Sequence, residues 1–136
     1  MFKKIIIVST LLALTAATAL ASPTPQTQPD RPYAGIGRVV EVDFGENVFE
    51  LRFEKDGRTM TYVGIRGPEL GETETVEYTA IATAPDQYLL YWTEPVHRAT
   101  VVQVQDWYRR RVHTNITGEG LEFTHLSGTL RDKGPR

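Results

Sequence analysis

From Gly35 onward the chain is written in short β-branched and aromatic runs, broken by turn residues at roughly ten-residue intervals. That rhythm constrains the fold more than any other feature, because no run persists long enough, or with the right period, to make a helix. The runs are "GRVVEVDF", "NVFELRFE", "RTMTYVGI", "TVEYTAIAT", "YLLYWTE", "ATVVQVQD", "RVHTNI" and "LEFTHLSGTL". In the second, Phe49, Leu51 and Phe53 alternate with Glu50, Arg52 and Glu54, which predicts a strand with one dry and one wet face. "KDG" then supplies a hairpin turn whose glycine is free to take positive φ. The expectation is an all-β domain of roughly eight antiparallel strands, closed into an up-and-down barrel so that no edge stays unpaired. A two-sheet sandwich is the alternative.

The ends of the chain have a different texture. "MFKK", the apolar "IIIVSTLLALTAATAL" and the small-x-small pattern at Ala19-Leu20-Ala21 are the three parts of a secretory signal peptide, expected over residues 1–21 with cleavage after Ala21. Residues 22–34 include "SPTPQTQPDRP" and read as a Pro-rich flexible linker, 35–131 as the barrel, and 132–136 as a disordered tail. This organisation implies a periplasmic or secreted protein with no stable membrane anchor once the signal is removed. With no cysteine, disulfides and thiolate chemistry are excluded, so the domain stands on its core alone. Losing Lys3 and Lys4 takes the formal charge from −2 to −4, which argues against a nucleic-acid partner.

Following apolar parity, the inward set comprises Phe49, Leu51, Phe53, Met60, Tyr62, Val76, Tyr78, Ala80, Tyr88, Leu90, Trp92, Glu94, Thr100, Val102, Val104 and Asp106. Tyrosine and tryptophan are abundant in it, and their OH and NH groups ask for partners. Glu94 ends an otherwise apolar face, "YLLYWTE", and Pro95 stops the strand at once. Burial beside Trp92 raises the pKa of such a carboxyl and fits it for ligand contact or proton transfer; pairing with an arginine such as Arg98 is the structural alternative. Asp106 is expected to cap the turn at "DWYRR". His113 is placed to meet Glu94 across the barrel.

Other chemistries find little support. His97, His113 and His125 match no metal-ligand spacing, so neither a metal nor a cofactor is expected. "WYRRR" reads as a solvated turn, and "NIT" at Asn115 is a chance-frequency glycosylation triplet. There is no Gly-rich phosphate loop and no nucleophile-elbow signature.

The order "YLLYWTEP", "TVVQVQDW", "RRVHTNIT" and "LSGTL" resembles the MoaF-like family, small bacterial domains related to molybdenum-cofactor biosynthesis protein F. The likeness spans roughly Gly37 to Leu130, with Trp92, Glu94 and Gly128-Thr129-Leu130 as its best marks. It implies a lipocalin-like, calycin-type barrel with a pocket. "YWTEP" and "RVHTNI" are also similar to phenolic acid decarboxylases, calycin barrels whose glutamate in that stretch transfers a proton during loss of CO2. The likeness breaks at Val96-His97, at Val42 and Phe44 where that family has two tyrosines, and near Tyr78, where no arginine stands to hold a carboxylate.

The sequence therefore points to a barrel that takes a small aromatic or amphipathic organic molecule, with Trp92, Tyr62, Tyr78 and Tyr88 as walls and Glu94, His113 and Asn115 as polar contacts. A decarboxylase-like lyase using Glu94 as general acid/base is the alternative. A non-catalytic interaction module, presenting the Tyr91 face or the Arg109 to Arg111 turn, is the third. Monomer and homodimer are both compatible with the sequence.

Overall fold

A computed structural model describes residues 31–136. The expected signal peptide and residues 22–30 of the expected linker lie outside the described residues. Eight strands follow in order: β1 (Arg38–Asp43), β2 (Val48–Phe53), β3 (Thr59–Arg66), β4 (Thr73–Ala84), β5 (Gln87–Glu94), β6 (Ala99–Asp106), β7 (Arg111–Thr117) and β8 (Phe123–Pro135). Each pairs antiparallel with the next, and β8 returns to pair with β1, so the sheet closes into an up-and-down barrel. Closure gives every strand two neighbours and leaves no edge to be protected.

The closing seam corrects the expected chain end. β8 runs to Pro135, with Asp132 opposite Val40 and Gly134 opposite Val39, so residues 132–135 are strand and not tail. Arg38 binds the Asp132 carboxylate, and Arg136 pairs with Glu54. The run of charged and breaker residues hid this strand, because ladder hydrogen bonds use the backbone whatever the side chain.

Hairpin chemistry follows the turn residues. At the β2–β3 turn the Asp56 carboxylate accepts from the N–H groups of Arg58 and Thr59 and from the Thr59 hydroxyl, while Gly57 takes φ +69°. Alternation then sends one residue in two to the interior, as expected for β2 to β5: Leu51, Phe53, Met60, Tyr62, Val76, Tyr78, Tyr88, Leu90 and Trp92 are all buried.

For β6 the parity is the reverse of the expectation. Val101, Gln103 and Gln105 face inward and are buried, whereas Val102 is 42% exposed and Thr100 lies at the surface. Val104 and Asp106 are half-buried on that outer side. Two effects misled the apolar count. Outside, Val102 and Val104 stand opposite Tyr91 and Leu89 of β5, pairs that stabilise a sheet without a core. Inside, the glutamines satisfy one another, which removes the penalty of burying amides. Tyr33 donates to Gln105 Oε1 at 2.6 Å, Gln105 Nε2 donates to Gln103 Oε1 at 2.6 Å, and Gln103 Nε2 donates to Thr114 Oγ1 at 2.9 Å. Asp106 does cap its turn, accepting from Arg109 N–H at 2.8 Å.

Tyr33, expected in the linker, is instead a plug. It is buried at one end of the barrel and meets Phe53, Tyr88, Tyr78 and Trp107 edge-on, with centroids 5.0 to 6.0 Å apart. Such edge-to-face pairs add to the area that aromatic rings bury. The interior is thus packed solid at the plugged end, where the β2–β3, β4–β5 and β6–β7 turns lie. The opposite end is not.

Candidate functional site

All four connections at the opposite end, β1–β2, β3–β4, β5–β6 and β7–β8, contribute residues to the rim of one cavity. Its volume is about 540 Å³, within the range of small-molecule sites. The walls come from strand residues facing inward: Val42, Phe49, Leu51, Tyr62, Trp92, Val101, Ile116 and Leu126. Gln103 and Thr114 join the lining, so the polar chain that begins at Tyr33 ends at the cavity. The rim carries Phe44, Asn47, Pro68, Glu69, Glu72, His97, Gly118 and Glu122.

Trp92 and Glu94 share the inward face of β5 because they are two residues apart. The indole N–H of Trp92 donates to Glu94 Oε1 at 2.8 Å. Glu94 is half-buried, and this desolvation pushes its pKa above the ordinary carboxylate value; the Trp92 hydrogen bond and the positive potential of His97 oppose the shift, and Glu74 and Glu69 reinforce it.

Glu74, opposite Tyr62 in the β3–β4 ladder, joins the β5–β6 turn to the barrel wall. Its Oε1 accepts the Val96 N–H at 3.0 Å, and its Oε2 lies 3.0 Å from His97 Nδ1 and 3.3 Å from the Tyr62 hydroxyl, which donates to it. Its side chain is only 7% exposed. Burial raises its pKa, yet these donors outweigh burial and hold the carboxyl below its usual value. His97 Nε2 lies 3.0 Å from Glu72 Oε2, so the ring spans two carboxylates, first Glu72 and then Glu74, and its pKa is raised. Tyr62 sits 2.7 Å from His97 Nδ1, and burial with nearby Glu94 and Glu74 pushes its phenol far up, keeping it a neutral donor.

One ligand atom each from Glu74, Glu94 and His97 lie within 4.8 Å of one another, a set of two carboxylates and an imidazole suited to a divalent metal. The spacing of histidines along the chain gave no sign of it, because its members come from β4, β5 and the turn after β5. His97 and Glu74 were likewise missed as site residues; the only sequence signal is that His97 follows Glu94 by three in the turn that ends β5.

The remaining expected contacts go elsewhere. Tyr78 and Tyr88 face inward but belong to the packed end, against Tyr33. His113 and Asn115 point outward from β7, whose inward residues are Val112, Thr114 and Ile116, so His113 cannot meet Glu94. Outside, His113 Nδ1 is 2.9 Å from Ser127 Oγ, His125 Nε2 is 3.1 Å from the same oxygen, and His125 Nδ1 is 2.7 Å from Asn115 Oδ1. A two-residue period makes this decisive: reversing β7 by one position exchanges Thr114 for both neighbours.

No curated protein matches the chain. Among solved structures, a crystal structure from Burkholderia vietnamiensis described as a "putative beta-lactamase" is similar, at 35% identity and a TM-score of 0.71, over 75% of this chain and 98% of that one. Residues 36–131 match the MoaF-like family, which covers all of the barrel but the last four residues of β8, and with that match the chain belongs to the MoaF-like family.

Proposed function

We propose that this MoaF-like barrel binds a small aromatic or amphipathic organic molecule in the cavity at its open end. The observation that carries the reading is the cavity of about 540 Å³ with Tyr62, Trp92 and Glu94 in its lining. Apolar walls with a few directed polar groups are what such sites require, and here the indole N–H and the polar cluster of Glu72, Glu74 and His97 fix the geometry of the rim. The signal peptide read in residues 1–21 supports export, so the ligand would be met outside the cytoplasm. Native mass spectrometry of the protein purified from its own compartment tests the reading. A retained small molecule that is lost in Trp92→Ala is the expected result, and a barrel that carries and takes up no small molecule would overturn it.

A lyase of the decarboxylase type is less well supported. Glu94 has the raised pKa and, among the described residues, the unpaired oxygen that a proton-transfer group needs, but no lysine or arginine among the described residues lines the cavity to hold a substrate carboxylate. Nor does the name of the Burkholderia neighbour bring serine-type lactam chemistry with it. Ser127, the one serine among the described residues, lies on the outer face of β8 and is not part of the cavity lining.

A further inference from the structure

The lining of the cavity is unbalanced in sign. Glu69, Glu72, Glu94 and Glu122 contribute carboxylates, with no lysine or arginine lining the cavity among the described residues. His97 spans Glu72 and Glu74 and offsets only part of that charge. Arg66 and Arg98, at the ends of the turns bordering the rim, are drawn outward, Arg66 onto Asp43 and the Gly45 carbonyl and Arg98 onto Glu119.

Glu94 presents an oxygen to the cavity. One oxygen takes the Trp92 N–H at 2.8 Å, and the other receives no hydrogen bond among the described residues. A desolvated carboxylate with a free oxygen is relieved by a cation beside it. Aromatic rings of Phe49, Tyr62 and Trp92 line the same cavity, and their faces attract ammonium groups while accepting an apolar body.

We infer that the barrel selects an organic cation, a protonated amine carried on an aromatic or aliphatic body. Its ammonium group sits against Glu94 and the acidic rim, and its body fills the space walled by Leu51, Val101 and Ile116. The inference rests on the cavity being the binding site. It also separates this chain from barrels that take aromatic acids, because a carboxylate here would meet carboxylates, and the basic group of the lining, His97, is already held between Glu72 and Glu74.

Three probes of like shape decide the matter by titration calorimetry: 2-phenylethylamine, 2-phenylethanol and 3-phenylpropionate. The amine is expected to bind about tenfold or more tightly than the alcohol, the gain typical of a charge-assisted contact, and the acid not at all. Glu94→Gln should remove most of the amine's advantage and leave the alcohol unchanged, and the rim variant Glu122→Gln should weaken the amine alone by a smaller factor. Equal binding of amine and alcohol would overturn the charge selection while leaving the cavity a binding site, as would tighter binding of the acid. Failure of all three would remove the binding site itself and the inference with it. Zinc chloride that binds through Glu74, Glu94 and His97 and excludes the amine would also overturn it, by assigning the charge requirement to a metal ion.

Discussion

The indole N–H of Trp92 and the Oε1 of Glu94 lie 2.8 Å apart on one face of a single strand, where the packed wall of the barrel gives way to its open cavity. The indole is 7% exposed, so its donor would be stranded without the carboxylate. The carboxylate in turn is held at a place that disfavours its charge.

That tension predicts a stability trend for Glu94→Gln. The folded-state pKa of Glu94 is raised by desolvation, so the folded chain binds its proton more tightly than the unfolded one. Stability from this group is therefore greatest at low pH and declines as pH rises above about 4.5, the unfolded value, through the folded one. Gln keeps an acceptor for Trp92 and carries no charge. The variant should melt at or above the wild-type temperature at pH 7, the difference shrinking as pH falls towards 4, as followed by circular dichroism. A large loss of melting temperature at pH 7 would mean that the ionised carboxylate is a structural partner.

His97 should act in the same sense over a higher pH window. Its raised folded-state pKa comes from Glu72 and then Glu74, so the bridge it makes is fully present below about pH 6.5, the unfolded value, and is lost as pH rises through the folded one. Proton NMR of the imidazole should place its midpoint above about 6.5, the value of an unfolded histidine. In Glu72→Gln the midpoint should move down. An unmoved midpoint would show that the Glu72 contact does not hold in solution.

The plugged end makes its own prediction. Tyr33 packs four rings and donates to Gln105 at 2.6 Å. Tyr33→Ala should cost about 3–5 kcal/mol, the range for emptying an aromatic core position, read from urea midpoints. A loss below about 1 kcal/mol would mean that the N-terminal segment is not docked.

Tyr78 offers a gain. Its hydroxyl is buried with no hydrogen-bond partner among the described residues, and burial pushes its pKa up to about 12. Tyr78→Phe keeps the ring contacts with Phe53 and Tyr33 and removes the unpaired group. Stability should rise by about 1 kcal/mol. A loss of similar size would reveal a partner for the hydroxyl.

The barrel was legible in the sequence because turn chemistry and two-residue alternation are local signals, and eight short runs with short connections leave few ways to close. The Trp92–Glu94 end of β5 was legible for the same reason. What local reading missed depends on partners far along the chain. Gln103 and Gln105 look like surface residues until Tyr33, some seventy positions earlier, supplies the donor that lets Gln105 be buried. His97, in the turn after β5, and Glu74, in β4, stand 23 positions apart, and only the antiparallel closure of β4 on β5 brings them to 3.0 Å. Parity failed in β6, where valine outside and amide inside reversed the usual correlation between apolarity and burial; in β7 Val112 and Ile116 face inward as apolarity dictates, which sends His113 and Asn115 outward.

The rim itself depends on a glycine. Gly64 in β3 donates to the Glu72 carbonyl at 2.8 Å and accepts from Gly71 N–H at 2.9 Å, folding the β3–β4 loop back onto the strand. A Cβ added at Gly64 would overlap the Glu69 carbonyl oxygen, a backbone atom that cannot rotate away. Gly64→Ala must therefore push out the loop that carries Glu69 and Glu72 to the cavity, and with Glu72 goes one of the two anchors of His97. We expect a loss of about 1–3 kcal/mol, as for overpacking elsewhere, together with a lowered His97 midpoint and weaker uptake of 2-phenylethylamine. Gly71→Ala is the control. That glycine has φ +88° but open space around its missing side chain, so the variant adds backbone strain without the overlap. If both variants lose stability equally and His97 titrates unchanged in each, the loop is not what positions the acidic rim.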